Sequence, residues 1–362
     1  MIGAPPALQF TLPRELVAAS PPEARGLERD EVRLLVAGED GLAHDRFRDL
    51  ASYLEPGDLI VVNTSPTMPA ALAATMRGEA IGVHLSSHND DGSWVVELRQ
   101  GNNSGPVLNA LPNEVIRLRR GGSIRLVESG DDGLFGGTRL WRAAVDVPGG
   151  LRRFVSRHGR PIRYAYLDRE WPLYMYQTVF AGRYGWPGSA EMPSAGRPFS
   201  KRVLDSLRRR HIAVAPIRLD TGVSSLEAGE LPYPERFEVP ATTAFQVNRA
   251  REKGRRVVAV GTTVTRALET AADIEGRVDA AAGWTSLVLG PDRPARVVDG
   301  LITGFHPAEA SHLDLLQAVV GRGIVRQAYD AALGDGYLWH EFGDSNLLLA
   351  ERRVARFRAP RS

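Results

Sequence analysis

The hydrophobic pattern is clearest between positions 255 and 270, where the sequence reads RRVVAVGTTVTRALET. Four consecutive apolar residues, Val257 to Val260, are typical of a strand that is buried on both faces. Gly261 allows a tight turn, and Thr262 or Thr263 can cap a helix on which apolar residues recur at helical spacing. The pattern therefore predicts a strand, a polar turn and a helix.

Such a turn presents amide groups at the positive end of a helix, an environment that suits a carboxylate, a phosphate or ribose hydroxyls. An ordinary strand-to-helix connection has the same residue types. One glycine and two threonines do not by themselves define a phosphate loop, so the pattern alone favours the ordinary connection.

The pattern changes between residues 73 and 150. Short alternating stretches, such as Val83 with Leu85 and Ile124 with Leu126, are separated by turn signals and by no helical period. Elsewhere we predict strands at 59–62, 212–219, 285–289 and 297–302, and helices at 242–253, 311–320 and 324–333, with another helix capped by Ser200. These elements predict an α/β protein, with a mixed α/β main domain at 1–72 and 151–362 and an inserted small antiparallel β-barrel domain at 73–150.

Composition restricts the function classes. The 362 residues include no cysteine, which excludes disulfides and thiol catalysis, and the eight histidines show no metal-ligand spacing, so no metal site is expected. The formal net charge of +2 is well below that of a dedicated nucleic-acid binder. Because no apolar run is long enough to span a membrane and no signal peptide is evident, we expect a cytoplasmic protein, as a monomer or small homo-oligomer.

Several motifs occur in an order that resembles one family. They are FTLPRELVA at Phe10, PGDLIVVNT at Pro56, MYQTVFA at Met175, PSAGRPFS at Pro193, RRVVAVGTTVTRALET at Arg255, VVDGLITGFHPAEAS at Val297 and FGDSNLLL at Phe342. Together they resemble the S-adenosylmethionine:tRNA ribosyltransferase-isomerases of queuosine biosynthesis. The resemblance implies an enzyme that uses S-adenosylmethionine as a ribosyl donor, releases adenine and methionine, and needs no metal.

The resemblance also implies site residues. His306 is the expected base, with Asp220 and Asp344 as the next candidates. Arg266, one turn into the predicted helix, is expected to pair with the donor carboxylate. The remaining expected substrate-binding residues are Asn63, Tyr176, Gln177, Thr178, Ser194, Ala195, Gly196, Gly261, Thr262, Thr263, Thr303 and Phe305. Simpler roles stay open, since His306 could bond a neighbouring loop, Tyr176 could belong to the core and Asp344 could be a turn residue.

Some positions depart from the family motifs. Pro66 and Ala71 stand where the family has arginines, and residues 223–240 carry Glu227, Glu230, Glu235 and Glu238 against a single arginine. Since an acidic loop repels phosphate, we expect an acceptor changed from a tRNA deazaguanine to a small molecule. A genuine tRNA-modifying enzyme and an inactive adenosyl-binding homologue remain the alternatives.

Overall fold

The computed structural model describes residues 8–101, 103–130, 139–182, 186–223, 233–308 and 312–351. Its strands, in chain order, are β1 (Arg33–Gly38), β2 (Gly41–Arg46), β3 (Leu59–Asn63), β4 (Ala71–Met76), β5 (Glu79–His88), β6 (Trp94–Gln100), β7 (Val115–Leu118), β8 (Ser123–Ser129), β9 (Leu140–Asp146), β10 (Ala213–Asp220), β11 (Glu235–Val239), β12 (Val257–Val260), β13 (Ala281–Thr285), β14 (Gly300–Thr303) and β15 (Ser345–Leu349). The helices are α1 (Leu151–His158), α2 (Lys201–Arg209), α3 (Ala241–Glu252), α4 (Thr262–Thr270), α5 (His312–Val320) and α6 (Arg322–Gly334).

Among the described residues, nine strands form one mixed sheet in the order β13-β11-β10-β3-β12-β14-β15-β1-β2. Its centre, from β10 through β3 and β12 to β14, is parallel. The strands nearer the two edges of the sheet pair with their neighbours in antiparallel orientation, apart from the parallel pair of β1 and β15. Because the carboxyl ends of the four central strands meet at one edge, the residues that follow these strands are brought together.

Helical segments cover both faces of the sheet. In β12, Val257 and Ala259 pack in the core with helices α3 to α6, whereas Val258 and Val260 pack in a second core with α2 and the 3-10 helix Phe47–Tyr53. Successive side chains of a strand point to opposite faces, so a fully apolar strand is buried from both sides. The sequence prediction of a doubly buried strand is confirmed.

Most predicted elements lie close to their expected positions. The Ser200 hydroxyl caps α2 by accepting a hydrogen bond from the backbone of Val203 at 3.3 Å, as predicted. The strand predicted at 285–289 is wrong, because β13 lies earlier, where residues 281–285 pair with β11. Leu287 and Leu289 are nevertheless buried, which explains their apolar character.

The remaining six strands, β4 to β9, form a closed antiparallel barrel in the order β4-β5-β6-β9-β8-β7. Its interior is a separate hydrophobic core that includes Val83, Leu98 and Ile124. The predicted fold class, a mixed α/β domain with a small antiparallel β-barrel, is confirmed. The boundaries of an inserted domain at 73–150 stay a prediction.

Buried polar contacts join the barrel to the main domain. In the barrel, Glu97 accepts hydrogen bonds from His84 at 3.0 Å and Arg139 at 2.8 Å. The Arg139 guanidinium also lies 5.7 Å from the ring centroid of Tyr233, which precedes β11. A second contact runs from the backbone N–H of Val223 to the Ser86 hydroxyl, at 3.0 Å.

No helix in the described ranges has the length and apolar character required to cross a membrane.

Candidate active site

A cleft of about 180 Å³ opens at the carboxyl ends of β10, β12 and β14. Its walls include Thr221, Gly261 and Thr303, which follow or end these strands, and the segment around Ser194. In open α/β sheets this edge is the usual place for a ligand. The cleft is therefore the main candidate for the functional site.

The cleft contains many of the residues predicted from the sequence. These residues are Ser194, Ala195, Gly261, Thr262, Thr263, Arg266, Thr303 and His306. They come from three separate motifs, which the sheet brings to one edge. None of the three motifs could form the cleft without the others.

The turn before α4 has a conformation that requires glycine. Gly261 is the N-cap residue, with φ of 91° and ψ of 160°, and a β-carbon there would lie 3.2 Å from that of Ala195. The prediction of a threonine cap is wrong, since no side chain caps this helix. The first amides of a helix have no partner within the helix, so those of Thr262 and Thr263 remain available to a ligand at the cleft wall.

Arg266 extends from α4 into the cleft wall, where other protein groups bind it. It forms an ion pair with Glu235 of β11 and donates hydrogen bonds to the carbonyl oxygens of Leu287 at 3.0 Å and Thr285 at 3.1 Å. The Arg266 side chain is only 7% exposed. Arg266 is thus paired within the protein, and its contact with a donor carboxylate stays a prediction.

His306 lies in the cleft beside a second histidine. Its Nε2 is 3.0 Å from the Thr303 hydroxyl, and its ring stacks on His312 with centroids 4.6 Å apart. Burial, followed by the charges of His312 and His340, lowers the pKa of His306 well below its usual value. At neutral pH the imidazole is therefore uncharged.

Glu341 is a cleft residue that the sequence analysis missed. Its Oε2 is buried and has no hydrogen-bond partner within the described part of the chain. Burial raises the pKa of Glu341 to about 7, although a hydrogen bond from its own backbone acts in the opposite direction. Position 341 directly precedes the FGD motif, but its burial depends on the fold and has no local sequence signal.

Six predicted substrate-binding residues lie outside the residues that line this cleft. Tyr176 is buried against Phe342, with ring centroids 5.3 Å apart, which matches the alternative of a core residue. The Gln177 side chain binds the backbone of Thr67 through both its oxygen and its nitrogen, at 3.1 and 2.8 Å. The others are Asn63, which bonds the backbone of β10, the buried Thr178, its neighbour Gly196, and Phe305 in the aromatic core.

Two of the predicted catalytic carboxylates also have structural partners. Asp344 is buried and accepts backbone hydrogen bonds from Arg33 at 2.7 Å and Leu338 at 2.8 Å, as expected of a turn aspartate. Asp220 accepts a hydrogen bond from Ser65 at 2.6 Å and pairs with Arg218 at 2.9 Å. Neither lines the cleft.

Within the described residues, no group of three or more His, Asp or Glu side chains is arranged to hold a metal ion. The cleft instead offers backbone amides, hydroxyls, two imidazoles and carboxylates. This set of groups can bind a charged organic substrate and move a proton.

The comparisons with known proteins agree with this geometry. The family described as "Queuosine biosynthesis protein" matches residues 6–348. A Heliobacterium modesticaldum protein named S-adenosylmethionine:tRNA ribosyltransferase-isomerase is 33% identical over 354 residues, covering 94% of this chain and 98% of its own length. A Thermus thermophilus protein of the same name is 34% identical over 358 residues, covering 95% and 99%.

A solved structure also resembles this chain. It is an S-adenosylmethionine tRNA ribosyltransferase from Thermotoga maritima, with a TM-score of 0.52 and 27% identity, and the match covers 94% of this chain and 99% of that one. The family match and the relatives extend over nearly the whole chain, including both the sheet and the barrel. The chain therefore belongs to the queuosine biosynthesis protein family, a family of enzymes whose similar members are named S-adenosylmethionine:tRNA ribosyltransferase-isomerases.

Proposed function

We propose that this protein transfers the ribosyl group of S-adenosylmethionine to a tRNA base and isomerises it, with release of adenine and methionine. The observation that carries the proposal is the convergence of three family motifs on one cleft at the carboxyl edge of the sheet. The names of the similar proteins supply the substrates.

The expectation of a small-molecule acceptor is not supported by the comparisons, and a tRNA acceptor fits them at least as well. The expectation that acidic residues at 223–240 repel phosphate is also weakened. Glu235 is neutralised by Arg266 inside the protein, so it does not repel phosphate at the surface. Glu227 and Glu230 lie outside the described residues.

The proposed donor site uses the two ends of the cleft. The amides of Thr262 and Thr263 suit the carboxylate of the methionine part, because the start of a helix favours negative charge. His306 is the proposed base, since its uncharged imidazole is held beside Thr303. Leu287 and Leu289 provide an apolar wall, which helps to exclude water from a reactive intermediate.

A second cavity, larger and more open, suits the RNA chain. It has a volume of about 610 Å³ and lies between the barrel and α1, with His88, Trp94, Arg152, Arg153 and Trp186 among its lining residues. Both arginines are exposed and have no side-chain partner within the described residues. Positive charge beside aromatic rings is typical of surfaces that bind single-stranded RNA.

One chain segment links this second cavity, the proposed RNA groove, to the cleft. Trp186 lines the groove, and Glu191, five residues later, lines the cleft. Five residues span at most about 18 Å. A nucleotide in the cleft could therefore be continuous with flanking nucleotides in the groove.

A product assay tests the proposal. Purified protein is incubated with S-adenosylmethionine and a tRNA that carries an aminomethyl deazaguanine, and adenine, methionine and tRNA mass are measured. We expect adenine and methionine in equal amounts and a matching gain in tRNA mass. Release of adenine without any change in tRNA would favour a different acceptor, and no release in any mixture would favour the inactive homologue.

A further inference from the structure

Acidic side chains outnumber basic ones in the cleft. Glu191, Glu235 and Glu341 line it together with one arginine, Arg266. Arg266 is already paired with Glu235, and burial together with the other histidines keeps His306 uncharged near pH 7. Glu191 has partners of its own, so Glu341 is the carboxylate left to contact a positively charged ligand.

Glu341 differs from Glu191 in having an oxygen without a partner. The Tyr164 hydroxyl lies 3.4 Å from Oε2 of Glu191, whereas Oε2 of Glu341 has no hydrogen-bond partner in the described residues. A buried polar atom without a partner costs about 1 to 3 kcal/mol, so proteins rarely retain one unless a ligand or water satisfies it. The position of this atom in a substrate cleft points to a ligand.

A stack of three rings lies near this carboxylate, and its first member, Tyr164, lines the cleft. Tyr164 stacks on Tyr166 with ring centroids 5.6 Å apart, and Tyr166 stacks on His340 at 4.5 Å. Glu341 is close enough to Tyr164 for its charge to raise the pKa of the phenol, after the larger effects of burial and of Glu191. A carboxylate next to aromatic rings is a favourable environment for an organic cation.

We infer that Glu341 binds a positively charged centre of the substrate, either the sulfonium or the amine of S-adenosylmethionine. The inference rests on the proposed function, which supplies the ligand. A sulfonium has no N–H to donate, so its contact with the carboxylate is electrostatic. The amine would donate a hydrogen bond to Oε2. In both cases the Glu341 carboxylate contacts a positively charged group of the ligand.

The experiment compares two ligands by calorimetry at pH 7 and 8. S-adenosylmethionine carries both the sulfonium and the amine, whereas S-adenosylhomocysteine keeps the amine and has a neutral thioether. Glu341→Gln removes the charge with little change in shape, and Glu238→Gln, on the exposed face of β11, is the matched control. Loss of one charge-assisted contact is expected to weaken binding by about tenfold or more, while the control binds like the parent protein.

The loss of affinity for each of the two ligands identifies which positive group contacts Glu341. A loss for S-adenosylmethionine alone assigns the contact to the sulfonium, and an equal loss for both ligands assigns it to the amine. Unchanged affinity of Glu341→Gln for both ligands overturns the inference. If the parent protein binds neither ligand, the proposed function fails as well, whereas binding and transfer that do not depend on Glu341 would leave that function intact.

A measurement on the parent protein tests the inference even if Glu341→Gln does not fold. A cation favours the ionised carboxylate, so binding near pH 7 should release a proton from Glu341, and the affinity should rise as pH increases through 7. The other titratable groups lining the cleft are Tyr164, Glu191, Tyr233, Glu235, Arg266, His306 and His312. Calorimetry in two buffers of different ionisation enthalpy counts the protons. No release from the parent protein, or equal release from a folded Glu341→Gln, contradicts the inference.

Discussion

Arg266 and Glu235 form a buried ion pair that joins α4 to β11, with exposed side-chain fractions of 7% and 12%. Removing one member of a buried pair leaves the other charge without compensation, at a cost of about 3 to 5 kcal/mol. Arg266→Ala should therefore lower the free energy of unfolding by that amount, as measured by urea denaturation.

A double variant separates this structural role from ligand binding. Arg266→Ala combined with Glu235→Gln no longer buries a lone carboxylate, so it should recover part of the lost stability. If Arg266→Ala is as stable as the parent protein but binds S-adenosylmethionine weakly, the arginine acts mainly on the ligand, as its sequence motif had predicted.

His306 is expected to affect turnover rather than stability. Loss of a general base usually lowers a rate by about 10² to 10⁴, so His306→Ala should reduce adenine release by that order. The matched control is His211→Asn, at an exposed position with φ of 58°, where asparagine is well tolerated. Parent-like turnover of His306→Ala in a correctly folded protein would mean that another group takes the proton.

The roles of these residues were only partly predictable from sequence. His306 was found because its motif survives, and the sheet brings that motif to the cleft. The partner of Arg266 lies 31 residues away, on strand β11, so no local pattern identifies it. Glu341 looks like any exposed glutamate in the sequence, because its burial arises only when the chain segments around Tyr164 and His306 come together.

Among the elements, the connection from β12 to α4 depends on one glycine. The dihedral angles of Gly261 lie in a region that is essentially restricted to glycine, and a β-carbon would also approach Ala195 to 3.2 Å. Gly261→Ala is therefore expected to lower stability by about 1 to 3 kcal/mol and to weaken ligand binding. Thermal unfolding and calorimetry would measure the two effects.

Gly323 provides a control within another helix. It lies in α6, without a positive φ, and a β-carbon there would meet no atom within 4 Å. Alanine in a helix is favoured over glycine by roughly 0.5 to 1 kcal/mol, so Gly323→Ala should maintain or raise stability. Equal destabilisation by both substitutions would contradict a specific role for the turn at Gly261.

Apolar patterns predicted the elements well where burial alone decides the structure. The run in β12 is apolar because both faces are covered, and the alternation in the barrel reflects one buried face. The prediction failed at β13, where residues 281–285 join the sheet although their burial is mixed. Pairing with β11 determines that strand, and pairing between distant segments leaves little trace in local hydrophobicity.

At the scale of the whole molecule, the fold could be predicted because two periodicities divide the chain. Helical and strand patterns alternate in the main domain, whereas strand patterns alone continue through the barrel. The acceptor is harder to predict than the fold, because net charge does not reveal where the charges lie. A chain with a formal charge of +2 can still gather unpaired arginines on one surface.

The surface beside the barrel illustrates this uneven distribution. Arg119 and Arg120 lie on the turn between β7 and β8, and a β-carbon at the next residue, Gly121, would lie 3.8 Å from Pro148. Pro148 shortly precedes α1, which carries Arg152 and Arg153. These four arginines are exposed and have no side-chain partner among the described residues, and Arg152 and Arg153 line the cavity proposed as the RNA groove.

This arrangement predicts how tRNA binding responds to salt. Each phosphate contact contributes about 0.9 to the slope of log affinity against log salt for a duplex and about 0.7 for a single strand. The double variant Arg152→Gln with Arg153→Gln should therefore weaken tRNA binding and reduce the slope by roughly one to two units, while turnover at saturating tRNA stays near that of the parent protein. The control changes Arg208 and Arg209 to glutamine on α2, which packs against the 3-10 helix Phe47–Tyr53 instead of the barrel. Filter binding across a salt series measures both slopes, and an unchanged slope for the first variant would mean that the tRNA backbone lies on another face.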